Sequence, residues 1–281
     1  MIEIFMETLI DTLKLIPFLF VAFLLMEYIE HKLQKKGKEK IKKSGKYGPL
    51  IGGILGAVPQ CGFAVSATNL YATRIITLGT LISIYLSTSD EMWPILTGEG
   101  ADIRVILIIL LTKVIIGITS GALIDLIIRK KNKNNFEIKD FCYEEHCDCE
   151  HSLYKSTIKH TINITIFLFI ISLVLHILIH NFGEITISKV LLKDTFFSPF
   201  LASLIGLIPN CASSVIITEL FVNNALSFAS CIAGLLTNSG IALIVLFKQN
   251  KNLKQNINIL LTVYLIGAII GVFIELISLI M

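Results

Sequence analysis

Gly56-Ala57-Val58-Pro59-Gln60-Cys61 and Gly206-Leu207-Ile208-Pro209-Asn210-Cys211 form a matched pair of motifs. They lie 150 residues apart in a 281-residue chain, and each sets a proline, a carboxamide and a thiol into apolar surroundings. Proline lacks the N–H of a helical ladder and clashes with the preceding turn, so both stretches are expected to break a helix. The same offset carries further matches outward. Thr68 and Leu70 meet Thr218 and Leu220, Ser87-Thr88-Ser89 meets Thr237-Asn238-Ser239, and Gly117-x3-Gly121-x3-Asp125 meets Gly267-x3-Gly271-x3-Glu275. One ungapped offset serving several motifs identifies an internal duplication.

The duplicated sequence is too apolar for a soluble domain. Hydrophobic residues make up 54% and charged residues 16%, against roughly 25% charged in soluble domains, and the mean hydropathy is +0.78. Nucleic-acid binding and secreted disulfide scaffolds are excluded, and an all-α integral membrane protein is expected. Full-length spans read as 8–30, 102–128, 157–179 and 257–280. The intervals 47–89 and 197–246 are too short for three crossings of about 20 residues each, so each is expected to hold one crossing and a hairpin that turns back at mid-depth.

Charge placement assigns sides. Segment 31–46 has eight lysines and one glutamate, Arg129, Lys130, Lys131 and Lys133 follow the second span, and Lys248, Lys251 and Lys254 precede the last. These belong in the cytoplasm, whereas 90–102, with Asp90, Glu91, Glu99 and Asp102, belongs outside. The basic loop 31–46 maps onto near-neutral 181–196, and acidic 90–102 onto lysine-bearing 240–252, so the halves are expected to be inverted. The organisation is a first transmembrane repeat (1–128), a cytoplasmic Cys/His loop (129–156) and a second repeat (157–281). Inverted halves with paired helix breaks point to a substrate site at the repeat interface near the midplane.

The candidate binding residues follow from that placement. Gln60, Cys61, Asn210 and Cys211 supply oxygen and sulfur at the breaks, and sulfur suits soft metals and metalloids. Glu219, opposite Asn69 in the repeat, is a carboxylate in apolar sequence, an expensive placement that marks a site candidate. Ser87, Thr88, Asp90, Glu91 and Asn238 cluster oxygen donors of the kind hard cations prefer. In the central loop Cys142, His146, Cys147, Cys149 and His151 could chelate a zinc-like or softer metal, at a spacing that fits no standard zinc finger. Asp125 and Glu275 sit near helix ends and read as interfacial carboxylates or a relay. Lys113 lies about ten residues into its span, too far along the helix from Asp125 to pair with it, so its partners come from another segment. No nucleotide-binding phosphate loop and no hydrolase signature is present.

The motif Gly56–Phe63, the stretches Asn69–Ala72, Arg74–Leu81 and Leu86–Glu91, and in the second half Gly206–Ser213 and Thr218-Glu219-Leu220, resemble the ten-membrane-segment heavy-metal exporter family. Its members are described as arsenic-efflux-like permeases or manganese transporters. The resemblance implies a bacterial-type inner-membrane exporter of about ten membrane segments, two repeats and broken or re-entrant helices. The expected function is export of a metalloid or divalent metal by alternating access, with the bilayer and the cargo ion as partners, no bound cofactor and no nucleic acid. Two other readings stay open: a metal-sensing accessory membrane subunit, and a membrane-embedded thiol enzyme, which would lack a recognisable general base.

Overall fold

The computed structural model describes residues 47–58, 61–88, 92–131 and 197–280, with separate helical positions between 5 and 24 and between 157 and 174; at 61, 129–131, 211 and 212 the backbone alone is described. The expected spans 8–30 and 157–179 are helical wherever they are described. Gln60, Asp90, Glu91 and the loop ligands Cys142, His146, Cys147, Cys149 and His151 lie outside the described residues.

All regular structure among the described residues is helical. In the first half the helices are α1 (Gly48–Gly56), α2 (Cys61–Ala72), α3 (Leu78–Ser87), α4 (Met92–Gly98) and α5 (Ile103–Lys131). The second half has α6 (Ser198–Gly206), α7 (Cys211–Val222), α8 (Phe228–Thr237), α9 (Ala242–Gln249) and α10 (Leu253–Ile280). Every helix of the second half starts 150 residues after its counterpart. Within both intervals the described residues form short helices. Three stretches among the described residues are long and apolar enough to cross a membrane: Ile103–Ile128, Phe228–Gln249 and Leu253–Ile280. The middle one is broken between α8 and α9, so the crossing in the second interval is itself a discontinuous helix.

Local chemistry sets these boundaries twice over. Thr77 caps α3 by accepting from the Thr80 amide at 3.2 Å, and Ser227 caps α8 by accepting from the Ser230 amide at 3.2 Å. Both α2 and α7 end in a left-handed residue, Arg74 at φ 63° and Asn224 at φ 55°. There the amides of Ile75 and Ala225 return to the carbonyls of Leu70 and Leu220, each at 2.8 Å, closing the last turn.

Within each half three helices form one packed unit, α1 with α3 and α5, and α6 with α8 and α10. Small residues make this close packing possible. A side chain at Gly121 would run into the Gly79 carbonyl, and one at Gly271 into Ala233 and Pro199. Hydroxyls cross the same contacts: Ser83 donates to the Pro49 carbonyl at 2.7 Å and Thr237 to that of Ser203 at 2.8 Å.

The halves are joined crosswise. α2 packs against α9 of the other half and α7 against α4, while α3 touches α8 and α10. The resulting polarity is that of a membrane protein. Leu107, Ile108, Leu111 and Ile115 on α5, and Leu261, Leu265 and Ile269 on α10, face outward, while Thr68, Asn69, Ser87, Thr88, Lys113, Asn210, Ser213, Asn238 and Ser239 are buried. Only 28% of the best apolar window of α5 or of α10 is buried against protein, but 89% of the window in Phe228–Gln249 is. The two long helices therefore border lipid, and the broken one is encased, where irregular backbone is tolerated.

Candidate functional site

The break of the second half can be followed atom by atom. α6 ends at Gly206 and α7 begins at Cys211, with Pro209 and Asn210 between. The Asn210 amide turns back to the Ile208 carbonyl at 2.7 Å, and Ser213 Oγ lies 2.8 Å from the Asn210 carbonyl and 3.1 Å from that of Ile208. Asn238 Nδ2 donates to Ser213 Oγ at 3.0 Å, and Asn238 Oδ1 accepts from the Gly240 amide at 2.7 Å. The break before α7 and the break between α8 and α9 are thus stitched to each other. Asn210 and Asn238, expected from sequence as two separate donors, belong to one buried cluster.

Lys113 joins this cluster to the first half. It lies about 15 Å along α5 from Ile103, near the middle of the span, and is 1% exposed. Its ammonium donates to the carbonyl of Thr88, which ends α3, and at 2.8 Å to the carbonyl of Leu235 in the last turn of α8. The expectation that its partners come from another segment holds, and one of them comes from the other half. Thr88 contributes its backbone carbonyl. Ser87 turns its hydroxyl onto the Ile84 carbonyl at 3.2 Å beside the α1 glycine Gly56, a helix-packing role.

Asn69 stands on α2, 1% exposed, and among the described residues neither its Oδ1 nor its Nδ2 has a hydrogen-bond partner. Its neighbour Thr68 lies 2.6 Å from the Tyr85 hydroxyl, which is 3.3 Å from the carbonyl of Ala242 at the start of α9. Ser239, three residues before Ala242, also buries a hydroxyl without a partner among the described residues. An unsatisfied buried amide costs on the order of 1–3 kcal/mol, so a position that keeps one calls for a water, an ion or a substrate to complete it.

The repeat partner of Asn69 behaves differently: Glu219 is exposed on α7. Cys61 and Cys211 open α2 and α7 at equivalent positions, and their thiols lie outside what is described. Asp125 and Glu275 hold helix starts: Asp125 accepts from Thr77 Oγ1 at 2.6 Å and from the Gly79 amide at 2.9 Å, and Glu275 accepts from Ser227 Oγ at 2.9 Å. Among the described residues no three His, Cys, Asp or Glu side chains come together as a metal-holding group.

Three participants were not selected from sequence. Ser213 sits two residues past a motif cysteine, where the helix break alone could have drawn attention to it. Ser239 belongs to a matched motif but looked like an ordinary cap. Tyr85 gave no signal, because its repeat partner is Leu235 and its contacts are long-range.

No curated protein and no solved structure matches the chain. A family model described as "Putative, 10TM heavy-metal exporter" matches residues 1–182 and 131–278, two overlapping regions that between them take in almost the whole sequence. With helices that can span a membrane, a polar interior and helix breaks enclosed between two halves, the chain belongs to this heavy-metal exporter family of ten transmembrane segments.

Proposed function

We propose that the protein is a secondary exporter that takes a heavy metal or metalloid from the cytoplasm, binds it between the two broken-helix motifs, and releases it outside as inverted halves rock about that site. The observation that carries this reading is the buried, unsatisfied amide of Asn69 on a helix of one half that packs against α9 of the other. Groups at such an interface can change partners when the halves move, which is what alternating access requires. The repetition of helix boundaries at a fixed offset supports the two-half mechanism. The loop charges support inversion, with 129–156 in the cytoplasm, where Cys142, His146, Cys147, Cys149 and His151 would gather cargo. Cys61 and Cys211, at the first residues of α2 and α7, would offer thiolates to a soft cargo, with Gln60, Asn210 and Asn238 supplying oxygens. Asp90, Glu91 and Glu219 would line the path outward.

The test is flux in everted vesicles containing only the purified chain, with wild type beside Asn69→Leu. Removing a buried polar group that has no partner should leave the melting temperature unchanged or higher, while uptake of the exported metal or metalloid falls at least tenfold. Undiminished uptake in the variant would remove Asn69 from the site. Failure of the wild type to move any of Mn(II), Zn(II), Cu(I) and trivalent arsenic would overturn the exporter reading.

A further inference from the structure

We infer that Tyr71, Arg74 and Gln255 form the cytoplasmic gate of the transport path, and that this structure is the state in which that gate is shut while the outer side is open. The inference rests on the exporter reading with inverted halves and adds which contact must break to admit cargo. The contact joins the two halves. Arg74, in the turn after α2, donates from Nη2 to Gln255 Oε1 at 2.8 Å, and Gln255 Nε2 donates to the Tyr71 hydroxyl at 2.5 Å. Gln255 is held from behind. Its amide donates to Asn252 Oδ1 at 3.2 Å, Asn250 Nδ2 donates to its Oε1 at 3.2 Å, and Asn250 and the fully buried Asn256 bond to each other. Lys248, Lys251 and Lys254 assign this loop to the cytoplasmic side. The acceptors facing Arg74 and Gln255 in these bonds are neutral oxygens, and such bonds exchange for bonds to water at modest net cost, so the contact can open as well as close.

The repeat supplies the comparison that identifies the state. Tyr71 and Thr73 are buried at the end of α2, whereas at the end of α7 Asn223, Asn224 and Ala225 are exposed. Further into the helices, Asn69 is 1% exposed and its equivalent Glu219 is exposed. A carboxylate in an apolar stretch faces water in preference to lipid, so the second half presents a wetted surface at the position where the first half is shut. Opposite cover on two equivalent elements is what rocking of inverted halves produces, one entrance closing as the other opens. The positions matching Arg74, Gln255 and Asn250 are Asn224, Val105 and Gly100. The outer entrance therefore has no copy of this network, and the lock belongs to the cytoplasmic side.

The experiment follows modification of one introduced cysteine at a time by a membrane-impermeant maleimide, read by peptide mass so that the native cysteines do not interfere, in vesicles containing the purified full chain. Asn69→Cys is probed from the cytoplasmic face in everted vesicles and Glu219→Cys from the outer face in right-side-out ones. Each is combined with the native gate, Gln255→Leu, Arg74→Leu or Gln255→Glu. Leucine removes the contact, whereas glutamate offers Arg74 a charged acceptor. With the native gate, Asn69→Cys should react slowly and Glu219→Cys readily. Loss of a hydrogen bond to a charged donor shifts an equilibrium by about tenfold or more. Either leucine variant, whichever elutes as folded protein, should therefore speed Asn69→Cys about tenfold and slow Glu219→Cys, because a molecule open inward is closed outward. Gln255→Glu should slow Asn69→Cys and lower uptake of the exported metal or metalloid. A rise at both cysteines, or no change at either, in the leucine variants would make the contact a structural tie and leave the exporter standing. Reaction of Glu219→Cys from the cytoplasmic face alone would overturn the assigned sides and the gate with them. Failure of the wild type to move any of Mn(II), Zn(II), Cu(I) and trivalent arsenic would overturn the exporter reading itself.

Discussion

The two halves use one scaffold and finish it differently at their ends. The turn after α2 and the turn after α7 share a left-handed residue and the same backbone bonds. In the first half, Arg74 donates from Nη2 to Gln255 Oε1 at 2.8 Å and stacks over the Tyr71 ring at 5.2 Å, and Gln255 Nε2 donates to the Tyr71 hydroxyl at 2.5 Å. Gln255 also accepts from Asn250 Nδ2 at 3.2 Å, so the turn is tied to the loop between α9 and α10. At the corresponding place Asn224 is exposed, and the positions matching Tyr71 and Gln255 are Phe221 and Val105, which cannot form this network. In the inverted arrangement proposed above, the polar latch belongs to one face of the membrane and its counterpart, which lacks the network, to the other. What is shared holds the fold, and what differs is where direction and selectivity can reside.

The shared part should fail with large effects in either half. Gly121→Leu and Gly271→Leu each force a side chain into a neighbouring helix, at an expected cost of about 3 kcal/mol or more. Thermal unfolding of the purified protein in detergent should show two comparable losses, and a harmless substitution in one half would break the equivalence. Next come the carboxylates. Asp125→Ala removes acceptors from a hydroxyl and a backbone amide and should cost about 2–3 kcal/mol, whereas Glu275→Ala loses one hydroxyl contact and should cost about 1 kcal/mol. Equal losses would mean that the two acids do the same work. The smallest effect has opposite signs. Asn224→Gly relieves a left-handed backbone and should stabilise by less than about 1 kcal/mol. Arg74→Gly gains the same relief but loses the Gln255 bond and the Tyr71 stacking, so its melting temperature should fall slightly.

Much of the scaffold was legible in sequence because it follows local rules. Proline marked the break before α7, the ungapped offset matched every helix start, the span 102–128 begins one residue before α5, and 257–280 lies inside α10. Asp125 and Glu275 read as end-of-helix carboxylates and are found bonded to the starts of α3 and α8. The site was legible in part. Asn210 and Asn238 were selected, but not the Ser213 hydroxyl that joins them. Burial separated Asn69 from Glu219, which the repeat made equivalent, because it depends on which distant helix covers each position. The same limit hid the Tyr71–Gln255 contact, whose partners are 184 residues apart.

The crosswise packing of α2 on α9 has a consequence for biogenesis. Synthesis reaches the start of α9 about 170 residues after α2 is complete, roughly 10–35 s at ~5–20 residues per second. During that interval the side of α2 that packs on α9 lacks its final neighbour, and lipid is a poor substitute for it. The nascent first half therefore stays incomplete at this contact until the ribosome delivers the helix that covers it.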